Sequence, residues 1–327
     1  MTGLRRLSLF GLGVAVAHLV FGAIVRITGS GMGCGDHWPK CYGRWFPPLD
    51  RPDLVIEVTH RYLAALLVFS LLALLILALR RRDEPEVGGR GGVLRAAAAA
   101  FALVLSAALF GGVTVKLGNA PMATVGHWLI AALTVAAVAT AAIRTGALGG
   151  ASALAQAATP KARRGTMIAA GIGLLVVMLG GLTAKMPGAA FGCLGFPLCN
   201  GELLPSQPAQ HVQMTHRLIA FLLFFHAIGL TIGIGKRNEA PVVRRAVWTA
   251  LGLITLQLVV AAAMVSMVLP PALRSLHQAI GVAIWVSLVI AAYLARIASG
   301  ASAYGARHAN AVRHEPDGLA ERAEAVS

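Results

Sequence analysis

The chain is 327 residues long, 57% hydrophobic and only 13% charged, with a formal net charge of +15. Soluble domains carry about 25% charged residues, so this composition excludes an ordinary soluble globular protein and points to a polytopic membrane protein. The positive charge alone would suit a nucleic-acid binder, but its placement does not: nineteen of the 28 Lys and Arg sit at Arg5 and Arg6, in 80–95, in 144–164, in 236–245 and from Arg296 onward.

A spanning helix needs about 20 apolar residues, and eight runs meet that length: 7–26, 60–79, 94–115, 123–143, 166–184, 212–234, 246–268 and 274–296. The basic segments alternate with segments poor in Lys and Arg. This is the positive-inside pattern, and it predicts both termini in the cytoplasm. The N-terminus has the basic start and apolar run of a signal peptide. Val25-Arg26-Ile27 is a poor cleavage site, so the run reads as a retained first span.

Helix one is expected to end near Arg26. The outer loop 27–56 that follows is rich in Gly, Pro and aromatic residues and longer than a plain turn requires. Helix two opens at Glu57-Val58-Thr59-His60-Arg61. Helix three closes on Gly111-Gly112-Val113-Thr114-Val115-Lys116, and His127-Trp128 opens helix four. The Ala/Gly-rich stretch 144–165 reads as a linker. Beyond it the plan repeats. Gly22, Arg26, Gly29, Gly33 and Cys34 match Gly181, Lys185, Gly188, Gly192 and Cys193 at one offset of 159, and Thr59-His60-Arg61 returns as Thr215-His216-Arg217. This is an internal duplication. Four spans per unit is an even number, so both units enter the membrane in the same direction, as parallel repeats do. The expected fold is all-α: eight transmembrane helices as two tandem, parallel four-helix bundles. The divisions are an N-terminal half 1–145, a cytoplasmic linker 146–165, a C-terminal half 166–296 and a disordered cytoplasmic tail 297–327.

His60, His127, His216 and His277 all stand near the outer ends of even-numbered spans. Imidazoles at one depth on neighbouring helices can face each other, which is an axial ligand set for haem. One membrane histidine is most simply a hydrogen-bonding residue. Four in duplicated pairs favour ligation, and ionisable groups in spans are functional candidates by default. Zinc is weaker, because no Cys or third carboxylate accompanies the histidines at helical spacing. His18 and His226 within spans, and His37 and His211 in outer segments, are not assigned as ligands.

Glu57 precedes His60 by three residues and would share its helical face. It is either a favourable charge at a helix N-terminus or a group acting on something His60 binds. Gln213 at the matching position holds no charge, which places the chemistry in the first half. Arg61, Arg217, Lys116, Lys185 and Arg274 lie at the same outer level. They suit either haem propionates or plain interfacial snorkelling. Cys34 with Cys41 and Cys193 with Cys199 form one pair in each long outer loop, so two local disulfides are expected on the oxidising side. A redox-active pair is the sharper alternative.

Together Glu57-Val58-Thr59-His60-Arg61, Gly126-His127-Trp128, Thr215-His216-Arg217, Leu276-His277-Gln278 and the Gly-Cys loops make the chain, over about residues 7–296, resemble the haem A synthase family. The resemblance implies a membrane oxidoreductase that oxidises a methyl group of haem O to formyl, giving haem A for cytochrome oxidase. It implies haem b in the C-terminal half with His216 and His277 as iron ligands, and haem O received between His60 and His127 with Glu57 catalytic. The implied partners are haem O and haem A, membrane lipid, a haem O synthase and an electron donor, with no nucleic acid; a homo-oligomer stays open. Two rivals fit the histidines: a di-haem b-type electron-transfer protein, which gives no reason for Glu57 in one half only, and a parallel-repeat transporter with a histidine proton relay.

Overall fold

The computed structural model describes residues 1–313, with side chains for residues 1–300. Among the described residues all regular structure is helical apart from isolated β-bridges in the two cysteine loops. Its helices are α1 (Thr2–Ile27), α2 (Pro52–Arg80), the single turn α3 (Pro85–Gly88), α4 (Val93–Lys116), α5 (Pro121–Arg144), the short α6 (Gly150–Leu154), α7 (Pro160–Lys185), α8 (Pro208–Lys236), α9 (Pro241–Ser266) and α10 (Pro271–Arg313). All but α3 and α6 are long and apolar enough to cross a membrane.

The helices extend past the apolar runs at both ends, for identifiable reasons. Six long helices begin on a proline: Pro52, Pro121, Pro160, Pro208, Pro241 and Pro271. Proline is pre-organised for the first helical position and loses no hydrogen bond there. Several last turns carry a cation, among them Arg26, Arg80, Lys116, Arg144, Lys185 and Lys236, which complements the helix dipole. Two expectations need correction. The stretch 146–165 is not bare linker, since it holds α6 and the first turn of α7. The last helix does not stop at Arg296 but runs to Arg313, because alanine, the strongest helix former, dominates residues 298–311 and outweighs their polarity. The rest of the expected disordered tail, 314–327, lies outside the described residues.

Contacts between long helices run α1–α2, α2–α4, α4–α5 and α5–α1, and again α7–α8, α8–α9, α9–α10 and α10–α7. Small residues make the close approaches: Ala96, Ala97 and Ala100 of α4 and Ala139, Ala141 and Ala142 of α5 are buried. The two sets meet where α10 packs on α1 and α5, and where α5 packs on α7. Buried Trp285 joins the core of the first four long helices, and its Nε1–H donates to the Ala132 carbonyl at 2.9 Å. At the opposite end from the cysteine loops, Arg144 donates to the Tyr293 hydroxyl at 2.5 Å and to the Gly92 carbonyl at 2.8 Å. There the buried Glu239 accepts from Thr159 N at 2.8 Å and from Arg237 Nε at 2.8 Å. Burial works to raise its pKa, but the hydrogen bonds from Thr159 and Arg237 overcome that and hold it below the usual carboxylate range.

A Cβ built on Gly181 would come 2.6 Å from Cε3 of Trp128, at the α5–α7 contact, whereas Gly171 on the same helix faces open space. Gly181→Val is expected to cost about 1–3 kcal/mol through overpacking, seen as a lower Tm in detergent. Gly171→Ala should leave the Tm unchanged or raise it. Equal Tm values for the two variants would contradict this packing.

Candidate functional site

Each set of four long helices encloses a cavity at the end bearing its cysteine loop. The N-terminal cavity, about 610 Å³, is lined by Glu57, His60, Arg61 and His127; the C-terminal one, about 210 Å³, by Gln213, His216, Arg217 and His277. The histidine pairs expected from the sequence are therefore brought together, one pair per cavity. Among the described residues no three His, Cys, Asp or Glu side chains converge on a metal-sized point.

The imidazoles are aimed by glycines on the neighbouring helix. A Cβ on Gly22 would meet His60 Cε1 at 3.2 Å, one on Gly111 would meet His127 Cε1 at 3.2 Å, and one on Gly180 would meet His216 Cε1 at 2.9 Å. Each ring thus lies edge-on against a helix backbone that only a missing side chain leaves open. His216 uses the approach to place Nδ1 3.1 Å from the Val176 carbonyl. With that carbonyl accepting from Nδ1–H, Nε2 keeps its lone pair for the cavity. His60, His127 and His277 each bury an Nδ1 with no hydrogen-bond partner. Beside His277, Gln257 donates from Nε2 to the histidine's own carbonyl at 2.9 Å and leaves Oε1 without a partner. The second glycine of each pair seats an indole: Gly112 faces Trp38 and Gly181 faces Trp128.

Glu57 is the sixth residue of α2, beyond the first turn, so it does not cap the helix. Its buried carboxylate turns to the loop: Oε2 accepts the Cys34 N–H at 2.8 Å and Oε1 takes Nη2 of Arg61 at 2.5 Å. Gln213 Oε1 accepts the Cys193 N–H at the same 2.8 Å. Carboxylate and amide hold equivalent loops in one way; what differs is the charge, and with it the arginine. Both arginines hold their loops, Arg61 through the Pro39 and Lys40 carbonyls; Arg217, with no carboxylate to pair with, donates to the carbonyls of Cys193, Gly195, Pro197 and Leu198 at 2.6–3.1 Å. The loops are closed by disulfides Cys34–Cys41 and Cys193–Cys199, with Cα–Cα distances of 5.0 and 4.5 Å.

The cations divide differently from expectation. Arg61 and Lys185 line the N-terminal cavity and Arg217 and Arg274 the C-terminal one, but Lys116 lines neither and sits 3.5 Å from Asp36. Two residues were missed in the sequence. His18 stacks on His60 at 4.2 Å between centroids, lines the same cavity and buries a partnerless Nε2. Arg26 lines both cavities. The signal was present as spacing: His18, Gly22 and Arg26 recur every four residues, on one face of α1. His226, by contrast, is a satisfied packing histidine, its Nε2 lying 2.9 Å from the Gly165 carbonyl.

The family model described as "Cytochrome oxidase assembly protein" (COX15-CtaA) matches residues 5–55 and 50–289. A protein of Shouchella clausii named "Heme A synthase" is 33% identical over 227 residues, covering 68% of this chain and 72% of its own length. One of the same name from Geobacillus kaustophilus is 31% identical over 206 residues, covering 63% of each. A Thermus thermophilus protein named "Protoheme IX farnesyltransferase" is 29% identical over 298 residues, which is 84% of this chain and 45% of that protein.

Four carbonyls converge on one guanidinium at Arg217, a geometry that a single ammonium does not reproduce. Arg217→Lys is expected to loosen the loop without unfolding the helices, with faster amide exchange confined to about residues 193–202 in hydrogen–deuterium exchange mass spectrometry. Wild-type protection across that loop would refute the role.

Proposed function

We propose a function from one premise: the chain belongs to the COX15-CtaA family of cytochrome oxidase assembly proteins. It is a multi-pass membrane oxidoreductase that converts haem O to haem A by oxidising a methyl group to formyl. The observation that carries this reading is an asymmetry laid over a duplication. Two cavities built alike differ in volume, about 610 against 210 Å³, in Glu57 against Gln213, and in His18 against Val177, its match at the offset of 159. A protein that only passed electrons between two equivalent haems would need none of these differences.

The larger cavity then receives the substrate haem O between His60 and His127, and the smaller one holds a resident haem b between His216 and His277. The residues fit such a group: His216 Nδ1 lies beside a carbonyl, His277 lines the same cavity with a buried, partnerless Nδ1, and cations stand at the rim. Bound there, haem b supplies one-electron redox chemistry; the chain's residues hold it and exclude water. The halves are read as tandem, parallel four-helix bundles with both termini cytoplasmic. The alternation of basic segments and the disulfides in both loops support that orientation. The two bundles then fall in 1–145 and 166–296, joined by a connection 146–165 that carries α6 and the first turn of α7, with the disulfide-closed loops covering each cavity from the outer side. The likeness to part of a protein named a protohaem farnesyltransferase supports a haem O synthase as a neighbour in the pathway.

Turning a methyl into a formyl is a four-electron oxidation, CH3 + H2O → CHO + 4 H+ + 4 e−, passing through a gem-diol that loses water; the four electrons must leave to an external oxidant, and the four protons to groups at the site and to solvent. Among the described residues Glu57 is the one carboxylate lining the substrate cavity. It can take up protons there or stabilise positive charge developing at the reacting carbon, with Arg61 holding its position.

Gln213 is a built-in control for Glu57→Gln, because an amide at that position already makes the same loop hydrogen bond. The variant should keep its fold and its haem b while the haem A to haem O ratio in pigment extracts falls by about 10²-fold or more. A ratio near wild type would end the catalytic reading. Separately, His216→Ala or His277→Ala should remove the low-spin haem b spectrum of the purified protein, while His60→Ala keeps it. A normal bis-histidine spectrum in either of the first two would sink the assignment of haem b to the C-terminal half.

A further inference from the structure

Arg26 closes α1 and Lys185 closes α7, and the two are duplicates at the offset of 159. Strict repetition would keep Arg26 with the first cavity and Lys185 with the second. Instead Lys185 lines the N-terminal cavity only, and Arg26 lines both. Its guanidinium lies 5.8 Å from the ring centroid of Trp128, which also lines both cavities, and its buried Nε has no partner.

Arg26 shares the wall of the N-terminal cavity with Lys185 and the wall of the C-terminal cavity with Arg274. Among the described residues none of the three forms a salt bridge. Of the other cavity arginines, Arg61 is engaged with Glu57 and the Pro39 carbonyl and Arg217 with its four carbonyls, while Arg44 lines the N-terminal cavity from an exposed position in the cysteine loop, away from the junction of the halves. Three unpaired cations gathered at an apolar helix junction are costly without anions to pair with. A guanidinium presents five donors in a planar fork and can engage a carboxylate on each side.

We propose that Arg26 is a shared carboxylate-binding residue, holding an acid group of the ligand in each cavity, with Lys185 reaching across from the C-terminal half to serve the N-terminal cavity and Arg274 serving the C-terminal one. This rests on the reading of the cavities as a haem O site and a haem b site, whose propionates are the carboxylates concerned. The arrangement ties the two sites to one side chain at the junction of the halves.

The test uses purified full-length protein carrying its resident haem b, with two readouts: the haem b midpoint potential, and the affinity for added haem O followed by its absorption change. Removing one charge-assisted contact is expected to weaken haem O binding about tenfold. The same factor on haem b, whose oxidised form gains when a nearby cation is lost, lowers a one-electron potential by about 59 mV. Arg26→Gln should change both readouts, Lys185→Gln only haem O affinity, and Arg274→Gln only the potential. Arg26→Lys keeps the charge but lacks the fork, so it should restore one readout and not the other; it also serves if Arg26→Gln does not insert stably. The proposal is overturned if Arg26→Gln moves one readout alone, if Arg26→Lys restores both, or if Lys185→Gln shifts the potential instead of the affinity. A low-spin spectrum surviving in His216→Ala would instead overturn the cavity assignments, whatever Arg26 does.

Discussion

The contact on which the rest depends is an imidazole edge pressed against a glycine on the adjacent helix. His60 on Gly22, His127 on Gly111 and His216 on Gly180 each require a backbone with no side chain at one point. That contact sets how closely the paired helices approach, and it aims the ring. In the one case where a hydrogen bond completes it, Val176 O to His216 Nδ1, it also selects the nitrogen that faces the cavity. The indoles of Trp38 and Trp128 on Gly112 and Gly181 extend the device. Each Gly-Gly pair seats one imidazole and one indole, and the cavity wall follows from their placement.

On this repeated frame the halves diverge by a few substitutions. Glu57 and Gln213 hold equivalent loops through equivalent hydrogen bonds, so the fold tolerates either. Only the carboxylate draws its arginine into an ion pair; both arginines also hold loop carbonyls, and Nη2 of Arg217 takes the Cys193 carbonyl where Nη2 of Arg61 takes Glu57. A neutral-for-charged exchange therefore changes the electrostatics of one cavity with little change in shape. His18 deepens the difference, since its ring covers one face of His60 and its counterpart in the second half is the apolar Val177. Duplication supplies two like frames, and divergence gives one of them a carboxylate and a further imidazole.

The junction between halves is a working surface rather than a passive seam. Trp285 of α10 lies in the core of the first four long helices and also lines the C-terminal cavity. Trp128 and Arg26 of the first half complete the wall of the second cavity. Neither cavity is lined by its own half alone, so packing at the junction and geometry at the sites are coupled.

Sequence by itself determined what depends on composition and short-range pattern. Eight apolar runs become helices because a spanning backbone must satisfy its own hydrogen bonds, and the cysteines pair locally because each outer loop holds just two of them. The duplicated His60, His127, His216 and His277 were legible because ionisable groups in apolar runs are few. Helix ends were less so: proline starts lie in polar turns, and the alanine-rich continuation to Arg313 reads as polar tail. What only the tertiary structure decided is which side chains meet across helices. His18 looked like an isolated span histidine until α1 packed on α2. Lys116 looked like a cavity cation but lies beside Asp36. Lys185 and Arg26 were legible as duplicates but not as residues that line a cavity of the opposite half. The physical reason is the same in each case: periodicity tells which face of a helix a residue occupies, while the neighbour that face meets is set by close packing of small residues over the whole bundle.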